Sequence, residues 1–316
     1  MTSPGRHHSR RHHMRILVTG ATGWIGSALV PELLGAGHRV VGLSRSDAGA
    51  AALDSAGAEV VRGDLDDLDL LSATAAQVDG VVHLAFKHDL AFGGDFPAAV
   101  AADRAAVAAL AAPLKGTGRP LVIASGLAGH HSGTPVTEDD PPAADSPAAH
   151  RMATERDVLA LASADVRSTS VRLAPTVHGA GDTGFVSVLV ETARRTGISA
   201  QVGDGSTHWP AVHVTDAARL FRLACESAPA ATVLHAADEQ GVPMREIAGA
   251  IGRGLDVPVR EVQPEHFGHL GAFAALDIVA LSDRTRALLG WRPEGPTLVE
   301  DIERHYTRAT TAQPTS

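Results

Sequence analysis

The chain has 316 residues, of which 44% are hydrophobic and 20% charged, so it can bury a large core and is not intrinsically disordered. Its formal charge is −9, which disfavours nucleic acid and anionic membranes as partners. The single cysteine, Cys225, excludes a disulfide framework and a multi-cysteine metal site. No apolar run reaches the roughly 18 residues that cross a bilayer, so we expect a cytoplasmic protein.

Residues 1–13 contain clustered histidines and arginines without apolar periodicity, and we expect a disordered leader there. From Met14 onward, short β-branched runs alternate with Ala-rich helical segments. This alternation predicts a parallel sheet covered on both faces, which is an α/β, doubly wound Rossmann fold. We predict strands at 15–19, 38–43, 60–62, 80–84, 120–124 and 168–173, and helices at 25–34, 48–56, 97–112 and 148–163.

The second part of the chain is less regular. A helix at 185–196, a strand at 211–214 and a helix at 215–227 are followed by helical segments interrupted by prolines. We therefore predict a dinucleotide-binding domain over 14–178, to which residues 211–235 return. The remaining segments, 179–210 and 236–316, are expected to form a smaller substrate lobe at the carboxyl ends of the strands, where open α/β sheets bind ligands.

A glycine-rich turn lies between the first predicted strand and the first predicted helix. Its glycines allow a tight turn, and the helix N-terminus offers amide donors and a positive dipole to a pyrophosphate. The position of the turn, in the first strand–turn–helix unit of an alternating chain, is the context that a dinucleotide site needs. The predicted cofactor contacts on this turn are Gly20, Thr22, Gly23, Trp24, Ile25 and Gly26.

The end of the second strand indicates which dinucleotide is bound. An acidic residue there would bind a ribose 2′-hydroxyl, whereas an arginine suits a 2′-phosphate. Ser44 and Arg45 therefore favour NADP(H), with NAD(H) as the second choice. The alternative is a solvated Arg45, with Asp47 binding the ribose. Asp64 is expected to contact the adenine or, alternatively, to be an ordinary turn residue.

Several segments together resemble the extended short-chain dehydrogenase/reductases, which include the NAD-dependent epimerase/dehydratase group. The resemblance covers residues 14–307 and implies a Rossmann domain with a C-terminal substrate lobe. It also implies further cofactor contacts from Leu65, Leu84, Ala85, Phe86, Arg151 and Pro175. The segments are TGATGWIG at 19–26, GDLDD at 63–67, VVHLAF at 81–86, VIAS at 122–125, VRLAPTVHG at 171–179, GDGSTHWPAVHVTD at 203–216 and LGWRP at 289–293.

The family's catalytic dyad has no counterpart in this chain. In the family a serine or threonine polarises the substrate oxygen, a tyrosine transfers the proton, and a lysine four residues later supports the tyrosine. Ser125 matches the serine region, although the hydroxyl position could instead fall on Gly126. The only tyrosine is Tyr306, close to the C-terminus, and the only lysines are Lys87 and Lys115.

Two alignments of the missing dyad are possible. Alignment on Glu155 puts Pro147 at the tyrosine position and Arg151 at the lysine position. Alignment on the spacing from the serine puts His150 and Thr154 there instead. In both alignments the chain resembles an atypical member that keeps the nucleotide fold without the usual active site.

A histidine is the natural substitute for the tyrosine, because it exchanges protons near neutral pH. The candidates are His178, His88 and His150, each with a purely structural or solvated role as the alternative. We rank His178 first, because its turn leads into the substrate lobe. Arg151 could hold the nicotinamide ribose. No HExxH or CxxC motif occurs, so we expect no metal.

The predicted substrate contacts are Trp209, His208 and Phe86, which favour a partly apolar small molecule. The alternative for Trp209 is packing between the lobes. We therefore expect an NADP(H)-dependent reductase of a carbonyl, imine or activated alkene, as a monomer or homodimer. The alternatives are a non-redox epimerase, isomerase or dehydratase, and a non-catalytic NADP(H) sensor.

Overall fold

The computed structural model describes residues 13–130, 134–141 and 149–307, so almost all of the predicted leader lies outside the described residues. The strands are Arg15–Thr19 (β1), Arg39–Ser44 (β2), Glu59–Arg62 (β3), Gly80–His83 (β4), Pro120–Gly126 (β5), Arg167–Leu173 (β6), Thr176–His178 (β7), Ser199–Val202 (β8), His208–His213 (β9), Thr232–Ala236 (β10), Glu239–Pro243 (β11) and Val259–Val262 (β12). The helices are Trp24–Gly35 (α1), Asp47–Ser55 (α2), Leu68–Ala75 (α3), His88–Phe92 (α4), Phe96–Ala111 (α5), Ala149–Ala160 (α6), Phe185–Thr196 (α7), Val214–Ser227 (α8), Met244–Leu255 (α9), Gly271–Ala274 (α10), Asp283–Leu289 (α11) and Leu298–Asp301 (α12).

Seven parallel strands form the main sheet in the order β10-β6-β5-β4-β1-β2-β3. One face packs against α1 and α8, and the other against α3, α5 and α6. Because both faces are covered, most of the strands are apolar on both sides, which is why they appear as continuous apolar runs in the sequence. The predicted Rossmann fold is confirmed.

The substrate lobe has its own small sheets and core. Strands β11, β9 and β7 form one sheet, and β12 pairs with β8 in another. Residues 211–235, which we predicted to return to the dinucleotide-binding domain, are divided between the two parts of the structure. Strand β9 belongs to the lobe, whereas α8 packs against α1 and β10 is the edge strand of the main sheet.

Among the residues that the structure describes, one helical segment, Phe96–Leu114, is long and apolar enough to cross a membrane, judged by length and composition alone. It consists of α5 and the short turn that follows. Its buried residues include Ala106 and Leu110, which lie in the core between the sheet, α3 and α6. In this fold the segment therefore acts as a core helix.

Candidate active site

The glycine turn is built so that two of its glycines cannot carry a side chain. Gly20 has φ +67°, and a Cβ there would lie 2.8 Å from Ala85 N. A Cβ on Gly26 would lie 2.1 Å from Gly20 O. Gly23 caps α1 in an extended conformation, is exposed, and has no side chain that could occupy the first amides of the helix. The turn is therefore an open cradle that fits a pyrophosphate.

The side chains that follow the turn have structural roles. Trp24 Nε1 donates a hydrogen bond to Val177 O at 2.7 Å, which ties α1 to β7 of the lobe. Ile25 packs against the core under α1. These two predicted cofactor residues can contribute to dinucleotide binding through their backbone amides, whereas Thr22 is exposed beside the turn.

A buried hydrogen-bond chain fastens the glycine turn to the loop after β4. Thr19 Oγ1 lies 2.7 Å from His83 Nδ1, and His83 Nε2 lies 3.1 Å from Asp103 Oδ1 on α5. Leu84 N donates to Thr19 O at 3.2 Å. Leu84 and the adjacent Ala85 thus lie against Gly20, as a shared cofactor site requires. Sequence analysis missed His83 and Asp103. The pattern that could have revealed them is a single polar residue within an otherwise apolar strand or helix.

Two arginines border the loop after β2. Arg45 is exposed, and Arg62 lies opposite Ser44 in the strand register. Arg62 donates hydrogen bonds to Ser46 O and, at 2.7 Å, to Asp47 Oδ1. Ser44 Oγ donates to Ser46 O at 3.0 Å. Asp47, the alternative ribose ligand, is thus bound by Arg62, which sequence analysis missed because Arg62 belongs to a different strand, β3.

Asp64 lies in a tight turn beside this loop. Leu65 N donates to Asp64 Oδ1 at 2.5 Å, and Asp64 N donates to Asp67 Oδ2 at 2.7 Å. Leu65 itself is buried. The Asp64 carboxylate keeps its second oxygen, so the turn geometry is compatible with both interpretations of this residue.

At the other end of the sheet edge, polar side chains occupy three neighbouring strands in register. Ser125 of β5 pairs with Arg172 of β6, which pairs with His235 of β10. Glu155 of α6 covers them and accepts from Arg172 Nη2 at 2.7 Å and from Ser170 Oγ at 2.7 Å. All these side chains are buried.

Further hydrogen bonds enclose this group. His235 Nδ1 lies 2.8 Å from Leu281 O, and because a carbonyl only accepts, Nδ1 carries the proton. Arg172 Nη1 lies 3.4 Å from His235 Nε2 and donates to Asp140 O at 3.0 Å. The buried side chains of Ser125, His130, Glu155, Arg172 and His235 are called the sheet cluster below.

Electrostatics keep the sheet cluster close to neutral overall. Burial raises the pKa of Glu155, but Arg172 and the hydroxyls of Ser170 and Ser125 outweigh it, so the pKa is lowered and Glu155 is ionised. Burial, followed by the charge of Arg172, lowers the pKa of His130 to about 4, although Glu155 and Asp140 act in the opposite direction. His130 is therefore a neutral imidazole at physiological pH.

The site opens next to Ser125. Gly126 is half-buried, has extended φ and ψ of −143° and 150°, and a Cβ there would meet nothing within 4 Å. The Ser125 hydroxyl lies inside the sheet cluster, so the open position at the end of β5 is Gly126. Pro175, a predicted cofactor contact, is half-buried just after β6.

The first-ranked proton donor, His178, is misplaced for that role. It is 1% exposed, and its Nδ1 lies 2.8 Å from Asp301 Oδ2 within the lobe. Its Nε2 lies 4.0 Å from Glu239 Oε2, and the ring packs edge-on against His213. Both ring nitrogens thus face lobe carboxylates. The ranking of His178 is corrected: the residue ties β7 to α12.

The predicted substrate contact of Trp209 is also corrected. Trp209 is 1% exposed and packs in the lobe core against Phe185 and Phe273, with ring centroids 6.3 Å and 5.1 Å away. His208 Nδ1 lies 2.9 Å from Asp277 Oδ1. The lobe is therefore rich in aromatic residues, but this indole belongs to its interior.

The remaining candidates lie in the loop after β4 and at the start of α6. His88 is exposed and packs edge-on against the half-buried Phe86, with centroids 5.2 Å apart. Both follow the strand end that faces the glycine turn. The first turn of α6 carries His150 and Arg151, whose side chains lie outside the described part of the structure.

Fold and site together define a nicotinamide-dinucleotide-binding protein of the short-chain dehydrogenase/reductase type. Residues 16–237 match the NAD dependent epimerase/dehydratase family, and the chain belongs to that family.

An uncharacterised protein of Schizosaccharomyces pombe is 45% identical over 297 residues, covering 92% of this chain and 98% of the relative. A Streptomyces protein named 3-diazoavenalumate denitrifying reductase is 31% identical over 317 residues, covering 92% and 100%. A dTDP-glucose 4,6-dehydratase from Streptomyces venezuelae, solved with NAD bound, has the same fold, with a TM-score of 0.77 at 23% identity over 93% and 96% of the chains.

Proposed function

We propose that the protein is an NADP(H)-dependent reductase of a partly apolar small molecule that carries a carbonyl, imine, activated alkene or diazo group. One observation carries the proposal. The dinucleotide cradle lies at the same edge of the sheet as the end of β5, where we expect the substrate to react, and the sequence contains no tyrosine–lysine dyad. When bound, the nicotinamide supplies a hydride. An activated acceptor needs positioning more than strong acid catalysis, so the missing dyad is compatible with turnover.

Different residues of the chain are expected to bind different parts of the dinucleotide. The glycine turn and the first amides of α1 hold the pyrophosphate, and the hydrogen-bond chain through Thr19, His83 and Asp103 fixes the turn against the loop after β4. Arg45 and Arg62 provide two cations at the ribose end, which supports NADP(H) over NAD(H). Ser125 lies near the end of β5, at the same edge of the sheet.

Cofactor preference is tested by calorimetric titration with NADPH and NADH. Charge-assisted bonds to a phosphate contribute roughly 1.5–3 kcal/mol, so NADPH should bind about tenfold to a hundredfold more tightly. Arg45→Asp should reverse this order. Arg39→Asp is the matched control, because Arg39 is an exposed arginine at the opposite end of the same strand. Equal affinities in the wild type would contradict the NADP(H) assignment.

Turnover is tested by the loss of NADPH absorbance with four probes: ethyl 2-methyl-3-oxobutanoate, a cyclic aryl imine, cyclohexenone and an aryl diazo carboxylic acid. The diazo probe is included because one relative is named as a diazo-compound reductase. Gly23→Val is the negative control, since its side chain would enter the cradle while meeting only Gly20 O at 3.2 Å. Tight NADPH binding without consumption of any probe would favour the sensor alternative.

The remaining properties follow the composition. We propose a small-molecule substrate, a cytoplasmic location, and a monomer or homodimer, without nucleic acid or membrane partners. A buried free thiol at Cys225, whose pKa burial raises to about 12, is compatible with a reducing compartment. Sedimentation of the purified protein distinguishes the two oligomeric states.

A further inference from the structure

An exposed ion pair lies at the carboxyl edge of the main sheet, on the loop that follows β2. Arg62 Nη2 donates a hydrogen bond to Asp47 Oδ1 at 2.7 Å, and Arg62 Nη1 donates one to Ser46 O. The side chain of Arg62 is 45% exposed, so a ligand can reach it. Asp47 is fully exposed in the first turn of α2. Because surface pairs of this kind contribute little to stability, a ligand of higher charge can displace the carboxylate at small cost.

This ion pair lies beside the glycine turn. Arg62 pairs with Ser44 in the register of β3 with β2, and β2 is the neighbour of β1, which leads into the turn. A Cβ on Gly49, in the first turn of α2, would lie 2.6 Å from Ser44 Oγ and 3.2 Å from Thr22 Cγ2. The start of α2 thus lies directly against the glycine turn. A dinucleotide whose pyrophosphate occupies that turn has its adenine ribose at the loop after β2.

Of the two arginines at this loop, Arg62 is the better prepared to hold a phosphate. Its guanidinium is already fixed by Ser46 O and by the Asp47 carboxylate, so it loses little side-chain freedom when another anion takes the place of the carboxylate. Arg45 is exposed on the loop itself, where fixing a long side chain costs entropy. A phosphate also carries more negative charge than a carboxylate and binds a guanidinium through two oxygens.

Carboxylates limit the direction from which an anion can approach Arg62. At the start of α3, Arg62 lines an open cleft of about 640 Å³ together with Asp66, Asp67 and Asp69. The like charge of these residues repels a phosphate from that cleft. At the loop after β2, the carboxylate bonded to the guanidinium is that of Asp47. Asp47 is therefore the charge that a phosphate at this loop must displace.

We propose that Arg62 is the main ligand of the cofactor's 2′-phosphate and that Asp47 occupies the phosphate position until NADP(H) binds. This inference rests on the proposed function and assigns the choice of cofactor to an ion pair between β3 and α2. The phosphate of NADP(H) replaces the Asp47 carboxylate on Arg62. NAD(H) carries no group that can do so, and Asp47 then stays bound to Arg62, which makes it a poorer acceptor for the ribose 2′-hydroxyl.

The test is calorimetric titration with 2′,5′-ADP and 5′-AMP, which differ only in the 2′-phosphate, and then with NADPH and NADH. Arg62→Leu should weaken the binding of 2′,5′-ADP and NADPH about tenfold or more and leave 5′-AMP and NADH within about twofold of wild type. Arg45→Leu should weaken the same two ligands by about threefold or less. Arg39→Leu is the matched control, because Arg39 lies 2.7 Å from Glu59 at the amino ends of the same two strands.

Asp47→Asn tests the second half of the proposal. Without the competing charge, 2′,5′-ADP and NADPH should bind about threefold more tightly, and NADH should stay within about twofold of wild type. Asp54→Asn is the matched control, because Asp54 is an exposed aspartate near the other end of the same helix. Weaker binding of NADH to Asp47→Asn would mean that Asp47 binds the ribose, and the inference would be overturned.

Failure of the proposed function gives a different result. If the wild type binds NADPH and NADH equally, the NADP(H) assignment fails, and Asp47→Asn then decides the inference. A gain in affinity for NADPH alone supports the masking of Arg62 by Asp47, and no gain overturns it. If the wild type prefers NADPH and Arg62→Leu keeps that preference, the proposed function stands and the inference is overturned. Turnover does not enter, because every readout is a binding constant.

Discussion

Two groups of buried histidines show how differently one residue type is used in this molecule. In the sheet cluster, His130 has no partner among the described residues, and its pKa is lowered to about 4. In the substrate lobe, His178 lies 2.8 Å from Asp301, and His213 and Glu239 surround the pair. These four lobe residues are called the lobe cluster below.

The difference teaches that burial alone does not identify a functional histidine. A paired imidazole contributes to folding through its hydrogen bond to a carboxylate. An unpaired buried imidazole costs free energy, because its nitrogens lose their hydrogen bonds to water without gaining new ones. We therefore expect loss of the paired carboxylate in the lobe cluster to reduce stability more than replacement of the unpaired His130 does.

The largest effect is expected from Asp301→Ala. This substitution leaves His178 buried without its carboxylate, and breaking a buried pair costs about 3–5 kcal/mol. Urea unfolding measures the loss. His305→Ala is the control, because His305 is 45% exposed and 3.7 Å from the same carboxylate, so the cost should stay below about 1 kcal/mol. A small loss in Asp301→Ala would remove the distinction between the clusters.

The sequence predicted the parts of the site that depend on the backbone. The positive φ of Gly20 and the close approach to Ala85 admit only glycine, so the pattern of residue types carries the information. Ser125 was predicted for a similar reason, because the sequence pattern shows where a strand ends. These features are local in the sequence.

The choice among the histidines could not be made from the sequence. His178 and Asp301 are 123 residues apart, and only the folded lobe brings them together. His130 follows a strand end as His88 does, and nothing in its local pattern shows that its ring is enclosed without partners. Arg62 was missed for the same reason, since the parallel pairing of β3 with β2 places it beside Ser44.

Acid titration should reveal the sheet cluster as a loss of stability. The pKa of His130 is about 4 when folded and about 6.5 when unfolded, so the unfolded chain binds more protons between these values. Stability should fall as the pH drops from about 6.5 to 4, by roughly 3 kcal/mol, and then level off for this group. His130→Gln should reduce the slope of unfolding free energy against pH. Burial also lowers the pKa of His213 and His235, so these two residues keep part of the pH dependence in the variant. Identical slopes in both proteins would contradict the assignment.

A smaller effect is expected from Tyr306→Phe, which removes the only tyrosine. Its hydroxyl donates to Asp182 Oδ2 at 2.8 Å and accepts from Gly179 N at 3.1 Å. Burial, followed by the charge of Asp182, raises the pKa of Tyr306, so the hydroxyl stays protonated. The loss of its bonds should cost roughly 1–2 kcal/mol in thermal unfolding, with kcat unchanged. A large fall in kcat at full stability would instead assign a catalytic role to Tyr306.

The smallest effect on stability is expected from Gly126→Ser, which places a hydroxyl at the open end of β5. The extended backbone of Gly126 suits any residue, and a Cβ meets nothing within 4 Å, so unfolding free energy should change by less than about 0.5 kcal/mol. A hydroxyl near the substrate should raise kcat for the ketone probe more than for the diazo probe, because only the ketone must end as an alcohol. Gly126→Ala is the matched control, because it adds the same Cβ without the hydroxyl. If alanine and serine lower turnover equally, the substrate itself fills the space at Gly126. The position then limits the size of the substrate and does not supply a hydrogen bond to it. A loss of stability in both variants would instead mean that the end of β5 is closed to a ligand.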